Sequence, residues 1–281
     1  MEDKDKIITK VVNAFTKKFG ESSANTLTKA FSPEKVKGFV PTGNLCVDWV
    51  IGRPGFPLGR ITEIAGPYGS GKSSLCASSI GAAQKQGIIC VLFDTEHSYE
   101  SSWSRTWGVN PEELILINPE HVQGLFDQVK FIVGMIKEEQ PSTPIFIIID
   151  SISASPTAQE LEQEDSTSGK QRGQHAVVIG EGLRKISNEI WNQNTALLFV
   201  SQLKDNPGMM YGANKHKLGG HAIEFHAGLM IEVRRQAYLK EKDESAYGQR
   251  IEVRSVKNKF VEPFRSRTYD LYFNEGIRKK E

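Results

Sequence analysis

The chain reads as an α/β protein with a mainly parallel central sheet, an antiparallel extension and a short N-terminal helical arm. Three observations predict this. Four short apolar runs, GRITEIAG (59–66), IICVLFD (88–94), PIFIIID (144–150) and TALLFVSQ (195–202), have strand length. The middle two are almost continuously apolar, as expected of strands covered on both faces. Helical patterns over 73–86, 122–139 and 176–193 separate the runs. Crossovers of that length join parallel neighbours with right-handed connections. After residue 228 the pattern changes to GLMIEVRR, QRIEVRSVKN and RTYDLYF, three alternating segments with short connections. These predict an antiparallel or mixed extension of the same sheet.

Taken in order, residues 3–19 place Ile7, Ile8, Val11, Val12, Phe15 and Phe19 at helical spacing, with Gly20 as C-cap. A polar stretch follows in which Phe31, Val36, Phe39 and Val40 show no period. Residues 1–40 are therefore expected to form an N-terminal helix and oligomerisation arm, and 41–281 the main domain. The apolar stripe of the arm can pack on its own core or on a neighbour. Segments 153–175 and 203–220 are polar and Gly-rich, and each follows a central strand. Loops this long at the C-terminal edge of a parallel sheet are expected to be functional.

Composition narrows the class. An apolar content of 38% supplies a core, and 35 basic against 34 acidic residues leave a net charge of +1. That balance weighs against nucleic acid only if charge is spread evenly, since binding depends on where charge lies. No apolar run approaches the roughly 20 residues that span a bilayer, and the acidic opening MEDKD does not resemble a signal peptide. Cys46, Cys76 and Cys90 lack disulfide-framework or metal-ligand spacing. The expected class is a soluble intracellular globular protein with no membrane partner.

The strongest motif is Gly66-Pro67-Tyr68-Gly69-Ser70-Gly71-Lys72-Ser73, a complete G-x-x-x-x-G-K-[ST] between a predicted strand and a predicted helix. Its backbone amides, with those of Ser74 beyond, suit the phosphates of ATP. Lys72 is expected to reach the β/γ-phosphates and Ser73 to hold Mg²⁺. Asp150, ending PIFIIID, suits the Mg²⁺ shell through water. Asp94 and Glu96 flank Thr95 after the strand IICVLFD, and extended residues two apart share a side. Both are therefore expected to face the phosphates, with Glu96 as the base that orients water. Gln202, ending TALLFVSQ, is placed to sense a γ-phosphate. The plain alternatives are a strand-end aspartate, a surface or helix-capping glutamate and a surface glutamine.

With these residues in view, the chain resembles the bacterial RecA recombinase family. The likeness runs through PTGNLCVDWVIGRPGFPLGRITEIAGPYGSGKSS, LFDTEH, IIIDSISA, LLFVSQLKDNPGMMYG, LGGHAIEFHAGLMIEVRR and VKNKFVEPF with YDLYFNEGI, spanning about residues 41–277. It implies a RecA-type P-loop NTPase core whose subunits form a helical filament on single-stranded DNA, pair it with homologous duplex DNA and exchange strands. ATP and Mg²⁺ would be used with DNA-stimulated hydrolysis, and loading or single-strand-binding proteins would be partners. The resemblance further implies adenine stacking by Trp103 and a lysine pair, Lys257 and Lys259, that reaches a neighbour's γ-phosphate. It makes the two polar segments DNA-binding loops, with Lys170 and Arg172 in the first and Met209, Met210, Lys215 and Lys217 in the second. Basic groups there would contact phosphates, and a methionine would wedge between bases.

Three departures stand out. Glu224 replaces the family's usual lysine before the phenylalanine of GGHAIEF, and Tyr68 replaces a usual glutamate. The text also stops soon after NEGI, so a short form without the family's C-terminal domain, encoded by a bacteriophage, is expected. The residues leave two other readings open: a ring-forming motor ATPase on the same core, or a non-catalytic accessory protein. The VKNKF lysines count against the first, and intact Lys72, Glu96 and Asp150 against the second.

Overall fold

The computed structural model describes residues 2–20, 24, 36–162, 170–191, 193–205, 215–217 and 222–277. The chain divides into two compact units, residues 1–36 and 37–281. In the first, α1 (Glu2–Phe19) carries Lys17 and Lys18 in its last turn, where cations offset the helix dipole. Ile7, Val11, Phe15 and Phe19 are exposed along it, and the Phe15 and Phe19 rings lie 5.2 Å apart.

The second unit opens with β1 (Phe39–Val40), which pairs antiparallel with β2 (Phe56–Pro57). Between them lies α2 (Leu45–Ile51), a helix the sequence reading passed over. Its signals are local: Asn44 accepts from the amides of Cys46 and Val47 as N-cap, and Gly52 closes it at φ 71°.

The main sheet is built on β3 (Arg60–Gly66), β4 (Ile89–Asp94), β6 (Ile145–Asp150) and β7 (Thr195–Asp205), all parallel where they pair. A short β5 (Leu114–Ile117) adds a parallel edge beside β4. On the other side β9 (Leu229–Lys240) joins β3 in parallel, and β10 (Ala246–Asn258) and β11 (Ser266–Tyr272) follow antiparallel. The order among the described residues is β11-β10-β9-β3-β7-β6-β4-β5. The expected mixed extension is therefore present, with β9 still parallel to β3 and β10 the first strand to reverse direction.

Helices cover both faces. On one side α2 and α3 (Lys72–Gln84) bury Val47, Val50, Ile51, Leu75 and Ile80 against Phe146, Val233 and Ile251. On the other, α5 (Val122–Glu139) and α7 (Lys170–Ile190) bury Leu125, Val129, Leu183 and Ile186 against Ile147 and Phe199. Gly182 lets α7 approach closely, because a Cβ there would overlap the Phe126 ring. Burial on both faces explains why these strands read as unbroken apolar runs.

The described parts of the two polar segments carry regular structure that the sequence did not predict. In 153–175 a short helix, α6 (Ala158–Glu162), forms, and α7 begins at Lys170 rather than near 176. Lys170 and Arg172 thus belong to a helix, not a loop. In 203–220, β7 continues to Asp205 and pairs antiparallel with β8 (Lys215–Lys217). Lys215 and Lys217 stand on that ladder, opposite Asp205 and Leu203. Strand pairing outweighs the polar composition at the base of this segment. Met209 and Met210 lie outside the described residues.

Candidate nucleotide site

The parallel strands end together, and their ends carry the chemistry. Strand β3 delivers Gly66 into a loop that closes at Gly71, the N-cap of α3, at φ 88°. A residue with a Cβ would incur about 1–2 kcal/mol of left-handed strain there. Its Cβ would also come 2.5 Å from the Ile251 methyl. No side chain caps this helix end. Its first-turn amides therefore suit an anion, and the macrodipole adds to the attraction. The Ser70 hydroxyl is buried without a protein partner, as expected of a group lining a phosphate cradle. Tyr68, by contrast, is exposed.

Lys72 is 8% exposed. Its ammonium folds back on the loop, donating to the carbonyls of Gly66 at 3.0 Å and Pro67 at 2.8 Å. Burial lowers its pKa, while Asp150 and Glu96 pull it back up. Asp150 is 3% exposed at the end of β6. Burial raises its pKa to about 6; the Ser73 hydroxyl, Lys72 and Tyr99 oppose that rise, and Glu96 adds to it. A carboxylate, a serine hydroxyl and a lysine around a glycine cradle form a donor set that fits Mg²⁺-ATP.

Asp94 and Glu96 do not act as the expected pair. Asp94 is buried beside Asp150 in the strand register and accepts from the Tyr99 amide at 3.0 Å. Strand β4 ends at Asp94, so the extended alternation that would place both carboxylates on one side does not continue. Glu96 is exposed, and its Oε1 accepts from Ser151 Oγ at 2.7 Å and from Gln202 Nε2 at 3.0 Å. Glu96 and Gln202 are thus brought together at the strand ends, with Ser151 as a third member that the sequence reading missed. Its signal was only a hydroxyl directly after Asp150.

Trp103 sits on α4 (Ser101–Thr106), half-buried. Its ring meets Tyr99 edge-on at 5.5 Å and 81°, and Trp107 at 5.9 Å. Tyr99 was missed as well. Its hydroxyl lies 3.3 Å from Asp150 Oδ2 and 3.4 Å from the Ser73 carbonyl. Half-buried among these groups, the phenol has its pKa raised, by desolvation first and then by Asp150.

This arrangement, a P-loop lysine and two strand-end acids on a RecA-like strand order, accompanies a family match covering nearly the whole chain. The RecA N-terminal domain model matches residues 6–278. The chain belongs to the RecA family. It is similar to protein RecA of Methylobacterium radiotolerans, 33% identical over 280 residues, covering 99% of this chain and 74% of that protein. Protein RecA of Chloroflexus aurantiacus is 32% identical over 98% of this chain and 76% of its own length. Protein RecA of Nitrobacter winogradskyi is 33% identical over 99% and 74%. As a RecA-family protein the chain is an ATP-dependent recombinase with the family's ATPase activity. Among the described residues no helix is long and apolar enough to cross a membrane.

The remaining expected residues lie away from the P-loop corner. Lys257, half-buried near the end of β10, donates to the Glu224 carbonyl on α8 (Ala222–His226). Lys259 is exposed just beyond the strand, and Phe225 beside Glu224 is 78% exposed. Both lysines lie close enough to His226 to help lower its pKa, behind burial and Arg184.

Proposed function

We propose that residues 66–74 hold the phosphates of ATP, with Lys72 on the β/γ end and Ser73 and Asp150 serving Mg²⁺. The metal, when bound, neutralises charge that develops on the phosphates. Glu96 orients the attacking water and takes its proton. Gln202 shares Glu96 Oε1 with Ser151, so contact between Gln202 and a γ-phosphate alters the hold on the base. Gln202 also lies on β7, which continues to the ladder bearing Lys215 and Lys217. Nucleotide state and DNA contact thereby share one strand. Trp103 supplies the platform for adenine.

In the same reading, subunits assemble into a helical filament on single-stranded DNA and pair it with homologous duplex. Lys257 and Lys259 complete a neighbour's site, so hydrolysis follows assembly. Lys170, Arg172, Lys215 and Lys217 contact DNA phosphates, while Met209 and Met210 contact bases. Loading or single-strand-binding proteins act upstream, in bacterial cytoplasm.

The observation that carries the reading is the convergence of Lys72, Asp150 and the Glu96–Gln202 pair at the ends of adjacent parallel strands. Its test is ATP hydrolysis with and without single-stranded DNA, with the products imaged by electron microscopy. DNA-stimulated turnover and open filaments are expected, both lost in Lys72→Ala. Closed rings with directional unwinding would favour a motor ATPase instead, and DNA binding without turnover would favour an accessory protein.

A further inference from the structure

Tyr99 occupies a position that packing alone does not explain. Its backbone amide is fixed to Asp94 Oδ2 at 3.0 Å, and its ring edge rests on Trp103. Its hydroxyl lies between two acceptors, Asp150 Oδ2 at 3.3 Å and the Ser73 carbonyl at 3.4 Å. A phenol has one proton to donate. Both separations exceed the usual O–H···O range of about 2.5–3.0 Å, so each contact is a long one, and the single proton can turn to either the end of β6 or the first turn of α3. A position needing only apolar bulk would be filled by phenylalanine, without the cost of burying a hydroxyl. Here the hydroxyl meets both residues that the proposed function gives to Mg²⁺.

We infer that Tyr99 is a positioning residue: it holds one oxygen of Asp150 so that the other is presented to the Mg²⁺ shell, and ties that carboxylate to the turn carrying Ser73. The inference rests on the proposed role of Asp150. Outer partners of this kind orient metal-serving carboxylates, and their loss typically lowers metal affinity or activity about 10–100-fold. Because the same ring supports Trp103, the metal carboxylate and the base platform share one rigid support.

The test is Tyr99→Phe, which keeps the ring and its contact with Trp103 and removes only the hydroxyl. Binding of a fluorescent, slowly hydrolysed ATP analogue is measured while Mg²⁺ is titrated, beside the wild type and Asp150→Asn. The Mg²⁺ midpoint should rise about 10-fold or more in Tyr99→Phe. Analogue binding in EDTA and the thermal midpoint should stay as in the wild type. DNA-stimulated turnover should recover towards the wild-type rate at high Mg²⁺. A purely structural role would instead lower turnover at every Mg²⁺ concentration and leave the midpoint in place, overturning the inference. A shift in Asp150→Asn without one in Tyr99→Phe also overturns it while leaving the role of Asp150 intact. No shift in Asp150→Asn overturns that role and this inference together.

Discussion

The P-loop corner and the outer end of the antiparallel extension are built on different terms. At the corner, Lys72 and Asp150 are nearly inaccessible, and each has partners from its own chain. At the other end, Lys259 is exposed beyond β10, Lys257 spends a bond on the Glu224 carbonyl, and the Phe225 ring stands in solvent. A buried, preorganised cluster stabilises charge without reorganising at the moment of reaction. Exposed lysines gain that power only when a second surface excludes water from them. In the proposed reading, one region holds a nucleotide within a single subunit, and the other becomes catalytic only against a neighbour. That difference is the physical basis proposed here for coupling hydrolysis to assembly.

The sharpest way to break the comparison is to replace Lys257 and Lys259 together by alanine. Charge supplied across an interface in this manner is worth about 10³–10⁵ in turnover. The double variant should lose DNA-stimulated hydrolysis on that scale, while nucleotide binding by the isolated subunit, read by fluorescence, stays intact. Equal loss of nucleotide binding would mean that the lysines serve their own subunit.

Glu96→Gln removes the proposed base but leaves the cradle, so turnover should fall about 10²–10⁴-fold. Analogue binding and filament length, checked by fluorescence and microscopy, should be retained. Ser151→Ala removes the 2.7 Å bond to Glu96 and should cost roughly 1.5 kcal/mol, about tenfold in kcat, with little change in KM. The smallest expected effect reports on geometry alone. His226 is held below its ordinary pKa by burial, then by Arg184, Lys257 and Lys259. The neutral ring is favoured in the fold, so stability from this group is complete above the unfolded value and is lost as pH falls from there through the lower folded value. Removing the two lysines should move the imidazole titration upward, as followed by NMR.

Much of this was legible in the residues. The parallel strands announce themselves because helices cover both faces, and the P-loop because its glycines have a steric reason to be there. Other features depend on tertiary placement. Tyr99 looks like an ordinary aromatic before a short helix until Asp150 and Ser73 arrive from two other elements. Asp94 and Glu96 have the spacing of a pair, but β4 ends between them, and Asp94 turns to an amide while Glu96 turns to Ser151 and Gln202. Composition also misled at 203–220, where a polar, Gly-rich stretch begins as a continuation of β7 paired with β8. The short α2 was readable only from its caps, since seven residues carry too little periodicity.

The central claim, that one subunit supplies the base and the next supplies the lysines, is tested most directly by mixing two inactive proteins. Glu96→Gln keeps its lysines, and the Lys257→Ala, Lys259→Ala variant keeps its base. In an equimolar mixture on single-stranded DNA, head-to-tail interfaces combining an intact base with intact lysines form at random. ATP hydrolysis should recover to roughly a quarter of the wild-type rate, the share of interfaces made complete. Mixed filaments that form normally and hydrolyse no faster than the separate variants would contradict the account.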